Sequence, residues 1–131
     1  MASLMTTLID ANIVIALLDK SNAHHAAAVD LLRSPDEDFC VPTLSLSEGL
    51  VHQARQNRAT EAQVVLLALG IRVLSCDLVG VVDLAQARAS TGLRMPDAVV
   101  LASAQAIGAK LATTDHQLAI QANAAGVELA K

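Results

Sequence analysis

Residues 8–12 read Leu8-Ile9-Asp10-Ala11-Asn12 and join two segments that predict different structures. The preceding segment, residues 4–9, is apolar and contains Thr and Ile, which predicts a short buried strand. The segment after Asp10 is also apolar and predicts the start of a packed helix. A carboxylate at such a junction is costly unless it faces a helix amino end, a cation or a hydrogen-bond donor. Asp10 is therefore either the N-cap of that helix or part of a site.

The amino-acid composition is typical of one compact domain covering residues 1–131. Hydrophobic residues make up 53% of the chain, and Phe39 is its only Phe, Trp or Tyr. A core built from Ala, Val and Leu favours helices packed closely against a parallel sheet. The net charge of −4 is not that of a general nucleic-acid binder, so any contact with a polyanion should be local and metal-assisted.

Three sequence features predict a cytoplasmic protein. Cys40 and Cys76 lack the spacing of a zinc site, and we expect both to be buried, reduced thiols. The N-terminal segment has no basic region, and Asp10 interrupts its apolar run, which argues against a signal peptide. No uninterrupted apolar stretch reaches the roughly 18 residues of a membrane span.

The hydrophobic pattern predicts strands that alternate with helices. The predicted strands are residues 4–9, 39–41, 71–74, 110–113 and, weakly, 126–129. The predicted helices are about 12–18, 23–33, 46–56, 60–69, 78–90, 96–107 and 115–124, with Asp77 as one cap and Ser45 with Glu48 as a capping box. The helix over residues 96–107 is apolar nearly all round and should be buried on more than one side. This order predicts an α/β fold, a three-layer α/β/α sandwich with a mostly parallel central sheet.

Four acidic residues fall at predicted strand ends or helix starts: Asp10, Glu48, Asp97 and Asp115. Ligands of open parallel sheets bind beyond the carboxyl ends of the strands, where these residues should lie. Each residue also has a local alternative. Asp10 and Asp115 could be N-caps, and Asp97 could favour the positive end of a helix dipole. Glu48 could complete the capping box or pair with His52 one turn later.

If the four carboxylates converge, their mutual repulsion must be relieved. Two carboxylates about 5 Å apart repel by roughly 3 kcal/mol at an effective dielectric constant of 20, and several such pairs approach the stability of a small domain. The cluster would need protonation or a hard divalent cation, and oxygen ligands favour Mg²⁺ or Mn²⁺ over zinc. Such an ion can activate water and stabilise charge on a phosphate oxygen, which fits phosphodiester hydrolysis. Arg55, Arg58 and Arg94 are either phosphate contacts or solvated arginines at helix ends.

Four segments resemble the acidic motifs of the PIN domain. They are residues 8–12, Leu46-Ser47-Glu48-Gly49-Leu50, Met95-Pro96-Asp97-Ala98-Val99-Val100-Leu101-Ala102-Ser103-Ala104 and Leu111-Ala112-Thr113-Thr114-Asp115. The length and motif order resemble the VapC-type toxin ribonucleases of bacterial toxin–antitoxin pairs, over essentially the whole chain. The resemblance implies a PIN-like α/β/α fold and a Mg²⁺- or Mn²⁺-dependent endoribonuclease. It also implies a homodimer and a small antitoxin protein that obstructs the acidic pocket.

The same resemblance implies roles for individual residues. The metal-binding and catalytic acids would be Asp10, Glu48, Asp97 and Asp115. Asn12 and Thr113 match polar positions that support the site. Members of the family commonly have an aromatic residue soon after the last motif. Here His116 begins that segment, and it either touches RNA or starts a surface helix.

Two other functions are consistent with parts of the pattern. The first is a non-catalytic binding module of the same fold that acts through a protein partner, and retention of all four acids argues against it. The second is a small phosphatase with Asp10 as nucleophile. Position 12 is Asn where a phosphatase would be expected to have an acidic group, which argues against this function.

Overall fold

The computed structural model describes residues 5–75 and 79–130. The strands within these ranges are β1 Met5–Ile9, β2 Glu37–Pro42, β3 Arg72–Leu74 and β4 Lys110–Ala112. The helices are α1 Ala11–Leu18, α2 His25–Leu32, α3 Thr43–Gly49, α4 Val51–Arg55, α5 Ala59–Ala68, α6 Val81–Thr91, α7 Met95–Ile107 and α8 His116–Ala124.

The four strands form one sheet in the order β3-β2-β1-β4, and every neighbouring pair among them is parallel. Strand β1 lies inside the sheet, where Leu8 pairs with Cys40 on β2 and with Leu111 on β4. The carboxyl ends of β1, β2 and β4 therefore meet at one edge. The predicted mostly parallel sheet is confirmed.

Apolar side chains cover both faces of the sheet. Because successive side chains of a strand point to opposite faces, Leu8 and Ile9 belong to different core clusters. The cluster around Ile9 includes Val14 of α1 and Leu66 of α5. The cluster around Leu8 includes Leu101 of α7 and Leu118 of α8. Helices thus pack on both sides of the sheet, which confirms the predicted three-layer α/β/α architecture.

Helix α7 is the most deeply buried helix in the part of the chain that the structure describes. All seven residues from Ala98 to Ala104 are buried, so they cover the whole circumference of the helix. The small side chains of this segment allow close packing, and Gly108 ends the helix in the left-handed conformation with φ of 66°. The prediction of a helix buried on more than one side is confirmed.

The region after β2 differs from the prediction. The predicted helix over residues 46–56 is two helices, α3 and α4, because Leu50 leaves the helical conformation at φ −98° and ψ 2°. Strand β2 runs directly into α3, so Pro42 occupies the N-cap position and no side chain caps the helix. The predicted capping box of Ser45 and Glu48 is therefore wrong. Thr43, the first residue of α3, donates from its hydroxyl to the Leu74 carbonyl at 3.1 Å.

Two further predictions need correction. Helix α6 begins at Val81 with Gly80 at the N-cap, later than the predicted start at residue 78. The predicted Asp77 cap, Cys76 and residue 4 lie outside the described residues. The weak final strand is reduced to one parallel bridge between Leu111 and Leu129.

No helix within residues 5–75 and 79–130 has the length and apolar character needed to cross a membrane.

Candidate functional site

Asp10 is a buried carboxylate at the edge where the parallel strands end. It is 3% exposed and occupies the N-cap of α1, where its Oδ1 accepts a hydrogen bond from the Ile13 backbone N–H at 3.0 Å. Its Oδ2 accepts a hydrogen bond from the Thr113 hydroxyl. Both carboxylate oxygens thus have a donor, and the orientation of the side chain is determined from two sides. The predicted N-cap is confirmed, and the same residue faces the end of β4.

Thr113 connects Asp10 with Asp115 at this edge of the sheet. Ile9 pairs with Ala112 in the β1–β4 ladder, so Asp10 and Thr113 leave the sheet side by side. The Thr113 hydroxyl donates to Asp10 and accepts the backbone N–H of Asp115 at 2.9 Å. This arrangement joins the first and last acidic segments through one side chain.

Asp115 is the N-cap of α8. Its Oδ1 accepts hydrogen bonds from the backbone N–H groups of Gln117 at 2.9 Å and Leu118 at 3.1 Å. The helix therefore orients the carboxylate, as the sequence predicts for a cap. The side chain remains partly accessible to solvent.

Asp97 lies in the first turn of α7, directly after Pro96. Partial burial raises its pKa, the charges of Asp115 and Glu48 raise it further, and the charge of Arg94 opposes them. The negative charges of one acidic residue in α3 and one at the start of α8 therefore act on Asp97. Arg94, at the N-cap of α7, is the arginine whose charge reaches this carboxylate.

Glu48 reaches the site because α3 packs closely against α1. A Cβ atom at the neighbouring Gly49 would lie 2.7 Å from Val14 Cγ1 and 3.4 Å from the Ala11 carbonyl oxygen, so only glycine fits there. Glu48 itself lies near the end of α3, and not in its first turn as predicted. No ion pair joins Glu48 to His52 within the described part of the chain.

The acidic residues act on one another electrostatically. Burial raises the pKa of Asp10 to about 6, and the charges of Asp97 and Asp115 add to that increase. The hydrogen bonds from Thr113 and from the Ile13 backbone oppose it. The structure thus brings Asp10, Asp97 and Asp115 into one region, with Glu48 beside Asp97, and we refer to these four side chains as the acidic site.

The acidic site matches a hard divalent cation in its chemistry, because all of its donor groups are carboxylate oxygens. Within residues 5–75 and 79–130, however, no three His, Cys, Asp or Glu side chains are arranged so that they could hold a metal ion together. Mg²⁺ does not require such a group, since it keeps several waters and is commonly bound through one or two carboxylates. The donor set therefore fits Mg²⁺ or Mn²⁺ bound largely through water, and the four-residue ligand set stays a prediction.

The remaining predicted residues divide into two groups. Asn12 is exposed in the first turn of α1, two residues after Asp10, and His116 is exposed at the start of α8, directly after Asp115. Arg58 pairs with Glu61 at 3.5 Å and lines a different cavity between α1, α4 and α5. Arg55 is exposed at the end of α4. Of the three predicted arginines, Arg94 is the one for which the structure gives an interaction with the acidic site.

Ser45 is a polar residue whose environment the sequence pattern did not reveal. It is 1% exposed, and its hydroxyl has no hydrogen-bond partner among the residues that the structure describes. The only signal in the sequence was its position three residues before Glu48, which is also the spacing of a helix cap.

A family model described as the PIN domain matches residues 7–124 of this chain. No curated protein matches this chain. Several solved structures share its fold at low sequence identity. VapC20 of Mycobacterium tuberculosis, described as a toxin that cleaves the sarcin–ricin loop, gives a TM-score of 0.72 at 20% identity over 95% of this chain and 98% of that chain.

Two toxin–antitoxin structures are also similar. VapBC-1 of nontypeable Haemophilus influenzae gives a TM-score of 0.68 at 16% identity, over 97% of this chain and 98% of that chain. VapBC2 of Rickettsia felis, bound to a DNA fragment from its promoter, gives 0.67 at 15% identity, over 96% and 98%. At sequence identities this low, the structural similarity shows a shared fold alone.

Proposed function

Because the chain belongs to the PIN domain family, we propose that it is a Mg²⁺- or Mn²⁺-dependent endoribonuclease that hydrolyses RNA phosphodiester bonds. We further propose that it is the toxin of a type II toxin–antitoxin pair. The observation that carries the proposal is the acidic site: a buried carboxylate, Asp10, with its pKa raised to about 6, whose charge is coupled to those of Asp97 and Asp115.

The charge of the site supports a cation-dependent reaction. The acidic groups that raise the pKa values of Asp10 and Asp97 would also repel a phosphodiester. A bound divalent cation removes both problems, because it neutralises the carboxylates, polarises the phosphate and lowers the pKa of water in its hydration shell. The residues that would hold it, directly or through its bound waters, are Asp10, Asp97 and Asp115, with Glu48 completing the acidic set.

Hydrogen bonds within the chain orient the carboxylates that would bind the cation. The Thr113 hydroxyl and the Ile13 N–H hold the two oxygens of Asp10, and two N–H groups at the start of α8 hold Asp115. Fixed ligands of this kind need little reorganisation when a substrate binds. Arg94 is positioned to contact a phosphate of the RNA, since its positive charge already acts on Asp97.

The proposed partners follow from the same reading. The solved structures of similar fold include the VapBC complexes of H. influenzae and R. felis, so we propose a small antitoxin protein as the partner of this chain. A homodimer and a cytoplasmic location belong to the same proposal. The buried free thiol of Cys40, with its pKa raised by burial, is consistent with a reducing compartment.

An RNA cleavage assay tests the proposal. We expect the wild-type protein to cut structured RNA with Mg²⁺ or Mn²⁺ and to stop when EDTA is added. Loss of an outer partner of a metal ligand commonly costs about 10- to 100-fold, so Asp10→Asn and Asp97→Asn should each reduce cleavage about 100-fold or more. Asp30→Asn is the matched control, because Asp30 is an exposed residue of α2 paired with Arg33. Unchanged cleavage by both site variants would defeat the assignment.

A wild-type protein that binds RNA or a protein partner but cuts nothing would instead support the binding-module function. The assay should therefore include RNA binding measured in parallel by gel shift. That comparison separates loss of chemistry from loss of substrate affinity in the two site variants.

A further inference from the structure

The buried hydroxyl of Ser45 needs a partner that none of the described residues provides. Ser45 is the third residue of α3 and is 1% exposed, and its Oγ makes no hydrogen bond to any described residue. Buried polar groups in proteins are nearly always hydrogen-bonded, and those without a protein partner usually bind an ordered water or a ligand. Ser45 Oγ therefore marks a place where a water molecule or a ligand is expected.

The position of Ser45 in its helix explains why it lacks a partner. Ser47, two residues later, donates from its hydroxyl to the Thr43 carbonyl at 2.8 Å, the usual bond of a helical serine to a preceding turn. The residue four positions before Ser45 is Val41, which belongs to β2 and not to the helix. Ser45 thus has no preceding helical turn to which it could donate.

The helix turns Ser45 toward the acidic site. Residues three and four positions apart share a helix face, so Ser45 lies on the face that carries Glu48 and Gly49. Gly49 faces the first turns of α1, because a Cβ atom at this position would meet Val14 and the Ala11 carbonyl oxygen. Ser45 is one turn closer to the start of α3, and so closer to the edge of the sheet where α1 begins.

The strand register places Asp10 at the same level. Leu8 pairs with Cys40 in the β1–β2 ladder, so Asp10, two residues further on, is level with Pro42, the residue that precedes α3. Asp10 and Ser45 therefore lie at the same edge of two neighbouring strands. Glu48 follows one turn later on the face that Ser45 occupies.

We propose that Ser45 is a positioning residue of the acidic site, whose hydroxyl donates to a water held between it and the carboxylates of Asp10 and Glu48. The inference rests on the proposed function, because this water would belong to the hydration shell of the bound cation. Mg²⁺ and Mn²⁺ sites depend on hydrogen bonds from surrounding side chains to the atoms that contact the ion. The Ser45 hydroxyl fits this role, since it offers a donor from a position that is only 1% exposed.

Calorimetric titration with MnCl₂ alone tests the proposal without reference to cleavage. We expect Ser45→Ala to weaken Mn²⁺ binding by about 10- to 100-fold, as for other outer partners of metal sites. Ser45→Thr keeps the hydroxyl and should restore affinity to within about threefold. Ser47→Ala is the matched control, because it removes an exposed hydroxyl from the same helix and should leave Mn²⁺ affinity unchanged.

Stability in EDTA separates this role from a structural one. Because Ser45 Oγ has no hydrogen-bond partner within residues 5–75 and 79–130, Ser45→Ala should unfold at the same temperature as the wild type or higher. If Ser45→Ala does not fold, Ser45→Cys provides a second variant of similar size with only a weak donor. A Ser45→Ala or Ser45→Cys protein that binds Mn²⁺ as tightly as the wild type would overturn the role of Ser45 alone. A wild-type protein that binds no Mn²⁺ would overturn the metal-dependent function as well.

Discussion

The hydroxyl of Thr113 donates a hydrogen bond to Oδ2 of Asp10 across 103 positions of the sequence. The two residues follow β1 and β4, which are neighbours in the parallel sheet. A shift of the ladder by one residue would turn every side chain of the strand to the other face, so the register of the sheet also sets this bond. The carboxylate at the centre of the proposed site is thus oriented by the fold itself.

Thr113→Val should change the titration of Asp10. The hydrogen bond from Thr113 lowers the pKa of Asp10, which burial has raised to about 6. Its loss should move that pKa upward, toward neutral pH. The measurement is the carboxyl carbon chemical shift of Asp10 followed by NMR between pH 4 and 9, without metal. Thr113→Ser retains the hydroxyl and should titrate as the wild type does, and an equal titration for Thr113→Val would contradict the assigned bond.

Asp10 should make the metal-free protein less stable as the pH rises. Its pKa is about 6 in the folded protein against 3.8 for the free group, so the folded state holds the proton more tightly. The free energy of unfolding therefore falls by about 3 kcal/mol in total between pH 3.8 and about 6. It stays at this lower value above that range. Urea unfolding in EDTA at several pH values measures this contribution.

Asp10→Asn isolates that effect from other titrating groups. Asn keeps an acceptor for the Ile13 N–H and carries no charge, so the variant should be more stable than the wild type at pH 7.5 by up to about 3 kcal/mol. The difference should vanish near pH 4, where Asp10 is protonated in the folded wild type. The same pH dependence in both proteins would show that Asp10 is not the group responsible.

Arg94→Ala should weaken RNA binding more than it slows the cleavage step. Removal of one phosphate contact is expected to reduce the dependence of log affinity on log salt concentration by about one. The pKa of Asp97 should also rise, because Arg94 lowers it. Binding measured at several salt concentrations tests this prediction, with Arg33→Ala as control, since Arg33 is exposed and paired with Asp30. An unchanged salt dependence for Arg94→Ala would exclude the phosphate contact.

Gly49→Ala should destabilise the protein and disturb the site together. The added Cβ would lie 2.7 Å from Val14 Cγ1 and 2.8 Å from Val14 Cβ, which forces α3 away from α1. Overpacking of this kind costs about 1–3 kcal/mol. Urea unfolding measures the cost, and the double variant with Val14→Gly, which removes both clashing atoms, should lose less stability than the two single changes added together. Additive effects would mean that Gly49 and Val14 are not the pair in conflict.

Much of the fold could be predicted because the apolar pattern of each element agrees with its environment. Helix α7 is apolar on all sides and is buried on all sides, and Asp10 and Asp115 cap the helices that follow them. The break at Leu50 was not predicted, because a single Gly such as Gly49 is tolerated within a helical pattern and the apolar spacing continues past it. Gly49 instead allows α3 to approach α1 closely, which the local pattern does not show.

The sequence indicated four acidic residues as candidates for one site, but it did not indicate the details of their surroundings. Strand ends and helix starts indicated the four acids, because parallel strands bring their carboxyl ends to one edge. Ser45 was misassigned as a cap, since a Ser three residues before a Glu has the same spacing in a capping box. The direct passage from β2 into α3 moves the N-cap to Pro42 and buries Ser45, and no local pattern shows that passage.

The most direct test of the acidic site is a crystal structure of the wild-type protein grown with MnCl₂, in which anomalous scattering locates the ion. We predict Mn²⁺ bonded to a carboxylate oxygen of Asp10 and to at least one of Asp97, Asp115 and Glu48. The same crystals should show a water hydrogen-bonded to Ser45 Oγ. Mn²⁺ bound only elsewhere, with the four carboxylates holding no ion at saturating concentration, would contradict the account.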